Sequence, residues 1–505
     1  MRLHFLTLIA VFFLVNISTP VQSQELTQIL RGQVIDAYTE QPLQYATIII
    51  RGSDPPRGTA TDADGYFMFS SIPLGRVDLE ASLIGYRSEV KNNLLLISGR
   101  ELVVDFRLEE QVITIEEVVV RPDPRKDQPS NEMASVSARS FSIDETERYA
   151  GSLGDPSRMA TNFAGVSSVS DQRNDIVIRG NSPLGLLWYL EGVEIPNPNH
   201  FGSLGSTGGP ISILNNNQLA NSDFYTSAFP AEFGNGLSGA FDLRMRNGNS
   251  QQHEFLGQVG LNGLELGAEG PLSIRDHASY LINFRYSTLE ILHSLGMSFG
   301  TGAAIPRYKD LSLKVNIPQD NGRISMFALG GNSSIAMLDS EGDDAQFGFS
   351  GTDTFYHNKM GVAGLSYVRY FGEDTRLSST VAVSGIQGVA EIFDLGEDLR
   401  QQVIDENMRE VKLTLSGKFR RRFNSRNYLN TGLVFDLYDV KYKGAQYQES
   451  IGEFIQYLNS DGTTGFARLF GEWLHRFTDE LTVTTGLSSS WFLLNDSKSI
   501  EPRLG

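Results

Sequence analysis

Residues 174–181 read Asn174-Asp175-Ile176-Val177-Ile178-Arg179-Gly180-Asn181, and residues 188–197 read Trp188-Tyr189-Leu190-Glu191-Gly192-Val193-Glu194-Ile195-Pro196-Asn197. The apolar runs in these two stretches predict two short buried strands, Ile176–Gly180 and Leu187–Leu190. Asn181–Gly185 lies between them and contains Ser, Pro and Gly, which are residues typical of turns. The sequence therefore predicts a pair of short strands joined by a turn.

Further motifs follow one another in the surrounding region, 140–248. They are Asp155-Pro156-Ser157-Arg158, Phe229-Pro230-Ala231-Glu232-Phe233-Gly234-Asn235 and Leu237-Ser238-Gly239-Ala240-Phe241-Asp242-Leu243. In this order the motifs resemble the plug domain of TonB-dependent outer-membrane receptors, and the resemblance implies an α+β plug over 138–248. The family often has Asp at the position of Glu191, but the change keeps the carboxylate.

The resemblance assigns a plug motif to six residues: Arg179, Gly180, Glu191, Gly192, Glu232 and Gly234. The family tends to pair plug charges with charges of the barrel wall near Arg179 and Glu232. The alternative is that these two side chains are solvated on the surface. A plug that fills a polar lumen should present hydrogen-bonding groups, which 215–218 supplies, and the glycine-rich 202–209 is expected to be an exposed apical loop.

Polar and apolar residues alternate regularly after Phe255. Val411, Leu413 and Leu415 interleave with Lys412, Thr414 and Ser416, and the same period of two runs from 429 to 438. Period-two segments of this length are typical of a barrel wall with one face toward lipid and the other toward the lumen. A soluble two-layer sandwich would give the same local pattern, so the connections have to discriminate between the two folds.

Short turns alternate with long connections in this region. The predicted turns are 273–276, 319–322, 372–374, 424–426 and 478–480, and the predicted long connections are 289–305, 334–356, 391–408 and 443–464. This alternation favours an outer-membrane barrel over a sandwich. Counted from a hairpin near Asn262-Gly263, residues 254–505 predict about 11 strands, roughly half of a 22-stranded antiparallel transmembrane wall. Because an open half-barrel in lipid leaves edge groups unpaired, we expect the sequence to be truncated or incomplete.

The region 30–110 contains short β runs at 32–35, 46–50, 66–69 and 77–81, separated by turn residues, which predicts a small β-sandwich. The motifs Gly32–Asp36, Gln41–Leu43, Ala46–Ile48, Thr61–Phe67 and Gly85-Tyr86 resemble the carboxypeptidase regulatory-like domain. Asp62–Gly65 has the spacing of part of a calcium loop, but no distal glutamate follows it, so a hairpin turn is favoured.

Two segments flank this sandwich. Residues 1–23 have the charged, apolar and small-residue order of a cleaved signal peptide. Residues 113–130 contain a β-branched run and then a Pro-rich, charged linker. An extended strand beside a tether can pair with the sheet edge of a partner. The run resembles the TonB box, with Ile115, Glu116, Glu117, Val118, Val119 and Val120 as the expected TonB-binding residues; the alternative is that it is the last strand of the sandwich.

Composition excludes several functions. The sequence has no Cys, so disulfides and cysteine metal sites are absent, and its net charge of -18 disfavours nucleic acid as a partner. The seven His residues include no paired ligand motif of a zinc peptidase. We therefore expect no enzymatic activity, no catalytic residue, no metal site and no cofactor.

The sequence favours a mainly β protein of the Gram-negative cell outer membrane: an N-terminal sandwich, a plug and about half of a barrel wall. The resemblance implies active uptake of a solute, with TonB and its inner-membrane energising complex moving the plug. Outer-membrane lipid would surround the wall, and a surface lipoprotein is a further candidate partner. The alternative is a cell-surface β-sandwich protein that binds or adheres without transport.

Overall fold

The computed structural model describes most of the chain in twelve segments. These are 26–98, 101–111, 138–141, 146, 149, 151–227, 229–260, 263–288, 306–341, 351–396, 400–478 and 481–505. The chain divides into two units, of which the first comprises residues up to Val34 together with Pro42–Leu83 and Ser88–Phe106. The second comprises Ile35–Gln41, Ile84–Arg87 and Arg107–Gly505.

The first unit is built from two four-stranded sheets, with the orders β3-β2-β5-β6 and β4-β1-β7, where β8 also pairs with β1. The strands are β1 (Thr27–Asp36), β2 (Thr47–Arg51), β3 (Arg57–Ala60), β4 (Tyr66–Pro73), β5 (Gly75–Ser82), β6 (Glu89–Leu96), β7 (Leu102–Val103) and β8 (Phe106–Leu108). Alternate residues such as Leu30, Ile48 and Leu79 are fully buried, as a sandwich requires. The predicted β-sandwich strands are therefore confirmed.

The predicted turn at Asp62–Gly65 is present, but the prediction of a hairpin is wrong, because β3 and β4 belong to different sheets. The Asp62 carboxylate accepts hydrogen bonds from the backbone N–H of Asp64 and Tyr66, at 3.0 and 2.9 Å. Gly65 has a φ of 73°, which a residue without Cβ adopts readily. The aspartate oxygen thus closes an Asx turn instead of a calcium loop.

The second unit begins with short elements, which lie in the predicted plug region. They are β9 (Ala138–Phe141), α1 (Pro156–Ala160), β10 (Val166–Ser168), β11 (Ile176–Ile178), β12 (Leu186–Leu190), β13 (Val193–Ile195), β14 (Asn199–His200), β15 (Ile211–Ser212), β16 (Ser222–Tyr225) and β17 (Gly239–Leu243). Five of them form a mixed sheet with the order β13-β12-β17-β16-β9. Its core stacks Trp188 and Phe224 on Phe241, with ring centroids 4.5 and 4.3 Å apart. Within the described ranges, no helix is long and apolar enough to cross a membrane.

The rest of the second unit is one sheet of 12 antiparallel strands in sequence order, which we call the wall. Its strands are β18 (Glu254–Gly260), β19 (Gly263–Pro271), β20 (Ser279–Tyr286), β21 (Arg307–Gln319), β22 (Gly322–Leu338), β23 (Thr352–Phe371), β24 (Thr375–Leu395), β25 (Arg400–Asn424), β26 (Asn427–Gln448), β27 (Glu453–Arg476), β28 (Thr482–Phe492) and β29 (Ser497–Leu504). Side chains of the wall from β19 to β28 contact the plug, so the sheet curves around it.

The two faces of the wall differ in chemistry as predicted. On β26 the outward-facing Leu433 and Leu437 are 53% and 42% exposed, whereas the inward-facing Asn430 and Asp436 are 0% and 2% exposed. On β25 the inward-facing Lys412 is 4% exposed. A soluble protein buries the apolar face of such a strand, so this inverted arrangement is the one expected for a sheet that faces lipid.

Two of the predicted long connections are wrong. Strands β24 and β25 continue into 391–408 and leave only 396–399 between them, and β26 and β27 continue into 443–464 and leave only 449–452. Residues there are polar on both faces, as in Asp405-Glu406-Asn407, so the apolar alternation ends although the hydrogen-bond ladder continues. The connection predicted at 289–305 lies outside the described residues. The connection predicted at 334–356 is shorter than expected, because β22 ends at Leu338 and β23 begins at Thr352.

Candidate functional site: the contact between plug and wall

The Glu191-Gly192 motif forms a two-residue hairpin between β12 and β13, where Leu190 pairs with Val193. Both motif residues have positive φ, 52° and 78°, which is the backbone of a type I′ turn. The turn directs the Glu191 carboxylate to Lys314 on β21, with the Oε1 and Nζ atoms 2.9 Å apart. The hairpin therefore places an ion pair between plug and wall.

The surroundings of Glu191 keep its carboxylate ionised. Burial alone would raise the pKa of Glu191, but the Lys314 ammonium and the backbone N–H of Met245 outweigh burial and lower it. The N–H of Met245 donates to Glu191 Oε1 at 2.7 Å. Because both partners of the pair are largely buried, loss of one would leave the other as an uncompensated charge.

Glu232 and Gly234 contact wall strands farther along the sheet than β21. The Glu232 carboxylate is 3.0 Å from Lys418 Nζ on β25, so this plug charge is paired with a wall charge. The carbonyl oxygen of Gly234 accepts a hydrogen bond of 2.8 Å from the Arg468 guanidinium on β27. A Cβ atom at position 234 would lie 2.6 Å from Ser488 Oγ and 3.0 Å from Arg468 Cδ, so a larger residue would force these wall side chains to move.

Arg179 and Gly180 are placed differently from the other four motif residues. They form a turn with φ of 51° and 80°, closed by a hydrogen bond from Asn181 N–H to Ile178 O, and both are exposed. Of the two charges singled out in the sequence, Glu232 thus lies against the wall and Arg179 lies on the plug surface. The TonB-box-like residues Ile115–Val120 and the signal-peptide-like 1–23 lie outside the described residues.

The polar segments of the plug also contact the wall. Asn215 and Asn217 donate to Asn283 and Glu265 at 3.0 and 2.8 Å, so the prediction of a hydrogen-bonding surface at 215–218 is confirmed. Four of the eight residues of the loop 202–209 are buried and only two are exposed, and the Gly202 carbonyl accepts two hydrogen bonds from β23. The prediction of an exposed apical loop is therefore wrong except at a few residues such as Ser203 and Gly205.

His200 forms a buried contact that the sequence reading missed. Its Nε2 atom is 2.8 Å from Asp310 Oδ2 on β21, which also binds Arg285 on β20 at 2.8 Å. Burial lowers the pKa of His200, and the hydrogen bond to Asp310 opposes this only in part. The imidazole is therefore neutral at neutral pH. The alternation of polar and apolar residues on β21 could have predicted that Asp310 faces inward. Its partner His200 could not have been predicted, because it lies 110 residues earlier in the sequence.

One sector of the contact is apolar, contrary to the expectation of a uniformly polar lumen. Inward-facing residues of β22, β23 and β24 join the same hydrophobic core as the plug residues Trp188 and Leu190. These wall residues are Phe327, Leu329, Met360, Val362, Ala382 and Ile386. We call this set the apolar stripe. The plug does not bury all of its apolar residues by itself, and the apolar stripe of the wall completes its hydrophobic core.

Comparison with known proteins supports this architecture. A family model for the CarboxypepD_reg-like domain matches residues 30–120. The fold is similar to a mutant of the ferric enterobactin receptor of Pseudomonas aeruginosa, with a TM-score of 0.52 and 12% identity over 74% of this chain and 60% of that one. No curated protein matches the chain.

Two other solved structures share the fold. The outer membrane transporter YddB of Escherichia coli gives a TM-score of 0.50 and 12% identity over 73% of this chain and 58% of that one. The siderophore receptor PirA of Acinetobacter baumannii gives 0.50 and 15% over 74% and 59%. The chain therefore spans about three-fifths of the length of these structures. It combines a CarboxypepD_reg-like domain with the plug-and-barrel fold of outer-membrane receptors and transporters, as its resemblance to TonB-dependent receptors predicts.

Proposed function

We propose that the protein imports a solute across the outer membrane of a Gram-negative bacterium and that TonB drives this import. The observation that supports the proposal most strongly is a plug held inside a sheet whose outward face is apolar and whose inward face is polar. An adhesin has no need to fill the inner face of such a sheet with a second domain. The transport function requires no covalent chemistry, and the proposal assigns no catalytic residue.

The contacts of the plug support a gate that is held closed and can be released. Pairs such as Glu191–Lys314 and Glu232–Lys418 hold it at separate strands of the wall. Charged and hydrogen-bonding groups that separate can be solvated by water entering the lumen, so the net cost of each broken contact is moderate. We propose that TonB, energised by its inner-membrane complex, pulls on Ile115–Val120 and so displaces the plug.

Deletion of Ile115–Val120 tests the coupling. We expect the complete protein without these six residues to lose binding to the C-terminal domain of TonB in a detergent pull-down. Deletion of Pro124–Pro129 is the matched control, because it removes six residues from the linker and leaves the β-branched run intact. Equal TonB binding by both deletions would show that the box assignment is wrong.

The membrane location is tested separately. The protein should fractionate with the outer membrane, require detergent for extraction and migrate differently on gels before and after heating, as closed barrels do. Recovery from the periplasm or cell surface without detergent would instead support the binding or adhesion alternative. Ferric siderophores are the first solutes to test in uptake assays with and without TonB, because two of the similar structures are siderophore receptors.

A further inference from the structure

The segment Ile35–Gln41, which we call the Glu40 segment, is bound at the short-turn edge of the wall within the second unit. The Tyr38 ring stacks on Tyr428 of β26, with centroids 3.6 Å apart. Asp36 is 2.6 Å from Arg422 of β25, and Gln41 donates to the carbonyl of Gly372 at 2.8 Å. Contacts to three neighbouring parts of the wall thus hold a seven-residue segment.

The Glu40 carboxylate is the centre of a cluster of arginines, and its side chain is only 2% exposed. Five guanidinium groups surround it, at 2.7 Å for Arg376, 3.1 Å for Arg244, 3.1 Å for Arg420, 3.7 Å for Arg323 and 3.8 Å for Arg107. Arg244 follows strand β17 of the plug, whereas Arg323, Arg376 and Arg420 belong to wall strands β22, β24 and β25. One carboxylate therefore joins the plug to three strands of the wall.

Glu40 is ionised at neutral pH despite its burial. Burial alone would raise the pKa of Glu40, but Arg376, Arg244, Arg107 and Arg420 outweigh burial and hold it well below the usual value. Other carboxylates take part at the edge of the cluster, since Glu232 lies 3.8 Å from Arg420 and Asp242 lies 3.8 Å from Arg244. These acids do not replace Glu40 at its centre.

Glu40 is the nearest carboxylate to both Arg323 and Arg376, although Glu191 also attracts Arg323 from farther away. Among the described residues, no other carboxylate forms a salt bridge with either of them. Like charges repel strongly where water is largely excluded. Without Glu40, the plug residue Arg244 would face these wall arginines without the anion that lies between them. The same carboxylate thus provides the attraction and screens the repulsion.

The backbone of the Glu40 segment is shaped to present this carboxylate. Glu40 has a φ of 54°, a left-handed conformation that is unfavourable for a residue with a Cβ atom. Hydrogen bonds within the segment impose it, because Asp36 Oδ1 accepts from Tyr38 and Thr39 N–H and Asp36 O accepts from Glu40 N–H. A disfavoured conformation held by surrounding contacts is often connected with function.

The segment also lies next to the chain that leads to Ile115–Val120. Ala37 N–H donates to the carbonyl of Leu108 at 3.0 Å, at the end of β8. Glu109 and Glu110 each lie 3.4 Å from an arginine of the same edge of the wall, Arg476 and Arg422 respectively. Residues 107–111 are the described part of the second unit that lies nearest to Ile115 along the chain, and they are bound to the Glu40 segment. We therefore expect a pulling force on Ile115 to act first on the contacts of 107–111 and of the Glu40 segment.

We propose that the Glu40 segment is a removable latch on the plug. In place, its carboxylate holds Arg244 of the plug to the arginines of the wall; when it withdraws, the unneutralised arginines repel one another and the plug loosens. The inference rests on the proposed function in one respect, namely that tension on Ile115–Val120 is what withdraws the segment.

Hydrogen–deuterium exchange of the complete protein in detergent, without TonB or solute, tests the latch. The variant Glu40→Gln should speed exchange of the β17 amides, Gly239–Leu243, by about tenfold, because the plug opens from the wall more often. The control Glu80→Gln removes a partly exposed ion pair of the first unit, with Arg51 at 3.6 Å, and should leave this exchange unchanged. Equal β17 exchange in the wild type and Glu40→Gln would overturn the proposal.

A second variant keeps the test decisive if Glu40→Gln does not fold. Arg244→Gln removes only the plug side of the contact and should also speed β17 exchange. In a protein that already carries Arg244→Gln, Glu40→Gln should add little; a further tenfold increase would show that the segment does not act through the plug. Exchange is measured without TonB, so its outcome is independent of the TonB-binding result for the deletion of Ile115–Val120.

Discussion

Asp242 shows how strongly the plug constrains a single carboxylate. It lies on β17 directly opposite Asp223 of β16 and is 7% exposed. Burial raises the pKa of Asp242 to about 6; Arg244 opposes the rise, and the negative charges of Glu232 and Asp223 add to it. The ionised form of Asp242 is therefore less stable in the folded protein than in the unfolded chain.

We predict that Asp242→Asn stabilises the protein at neutral pH and not at acidic pH. A carboxyl whose pKa is raised on folding imposes no cost below its unfolded pKa near 4; the cost grows between about pH 4 and pH 6 and is fully present above the folded value of about 6. A shift of this size corresponds to roughly 3 kcal/mol at pH 7.5. Urea unfolding of both proteins in micelles at pH 4 and pH 7.5 measures it.

The control for this prediction is Asp171→Asn, which changes an exposed aspartate of the plug. Its effect on the free energy of unfolding should be small at both pH values. If Asp242→Asn changes stability by the same amount at pH 4 and pH 7.5, folding does not raise the pKa of Asp242 and the prediction is wrong.

Local motifs made some residues of the contact predictable. Glu191, Gly192 and Gly234 were all assigned through the resemblance to the plug motif, and the hairpin at Glu191-Gly192 with its positive φ was found only in the structure. The partners of these residues were not predictable, because Lys314 and Arg468 lie far along the chain and only the curvature of the wall brings them close. The cluster around Glu40 was missed for the same reason.

Wall strands could be predicted from the sequence only where lipid on one face and the lumen on the other impose alternating apolar and polar residues. On β26 the outward residues from Leu429 to Leu437 are mostly apolar, whereas the inward ones include Asn430 and Asp436, a span of nine residues that matches a tilted membrane strand. Beyond it, Lys441 and Lys443 continue the outward row, and Asp439 pairs with Arg409 of β25 at 2.7 Å. The outward face is charged there, so the strands extend past the point at which the apolar pattern ends.

Leu433 lies at the middle of this apolar row, so we predict that Leu433→Arg destabilises the folded protein by about 2–4 kcal/mol, the cost of a cation at the bilayer midplane. Leu433→Ala is the matched control, because it removes the same side chain without adding charge, and it should cost clearly less. Equilibrium folding of the complete protein into lipid vesicles, titrated with urea, gives both values. Equal losses for Arg and Ala would place Leu433 in water or against protein.

The second unit as a whole has two kinds of contact between plug and wall. Ion pairs and hydrogen bonds occur at β19–β23 and β25–β28, and the apolar stripe occupies β22–β24. The polar contacts can exchange with water when the plug moves, but the apolar stripe loses buried surface and gains no compensating partner. We therefore expect the stripe to make the larger contribution to holding the resting plug in place.

The inward-facing Phe327 of β22 tests this division, because its side chain is fully buried in the core shared with Trp188. Removing a buried phenyl group typically costs about 3–5 kcal/mol. If most of that cost falls on the closed state of the plug, Phe327→Ala should speed hydrogen exchange of the β12 amides, Leu186–Leu190, by about a hundredfold.

Phe284→Ala is the matched control, since Phe284 lies on the outward face of β20 and is 38% exposed. It should leave β12 exchange unchanged, and neither variant should alter exchange within β26 and β27, whose ladder lies away from the apolar stripe. A β12 rate in Phe327→Ala equal to that of the wild type would mean that the ion pairs alone hold the plug. The energy needed to open the gate would then depend on the arginines and carboxylates, and the apolar stripe would serve only to fill space.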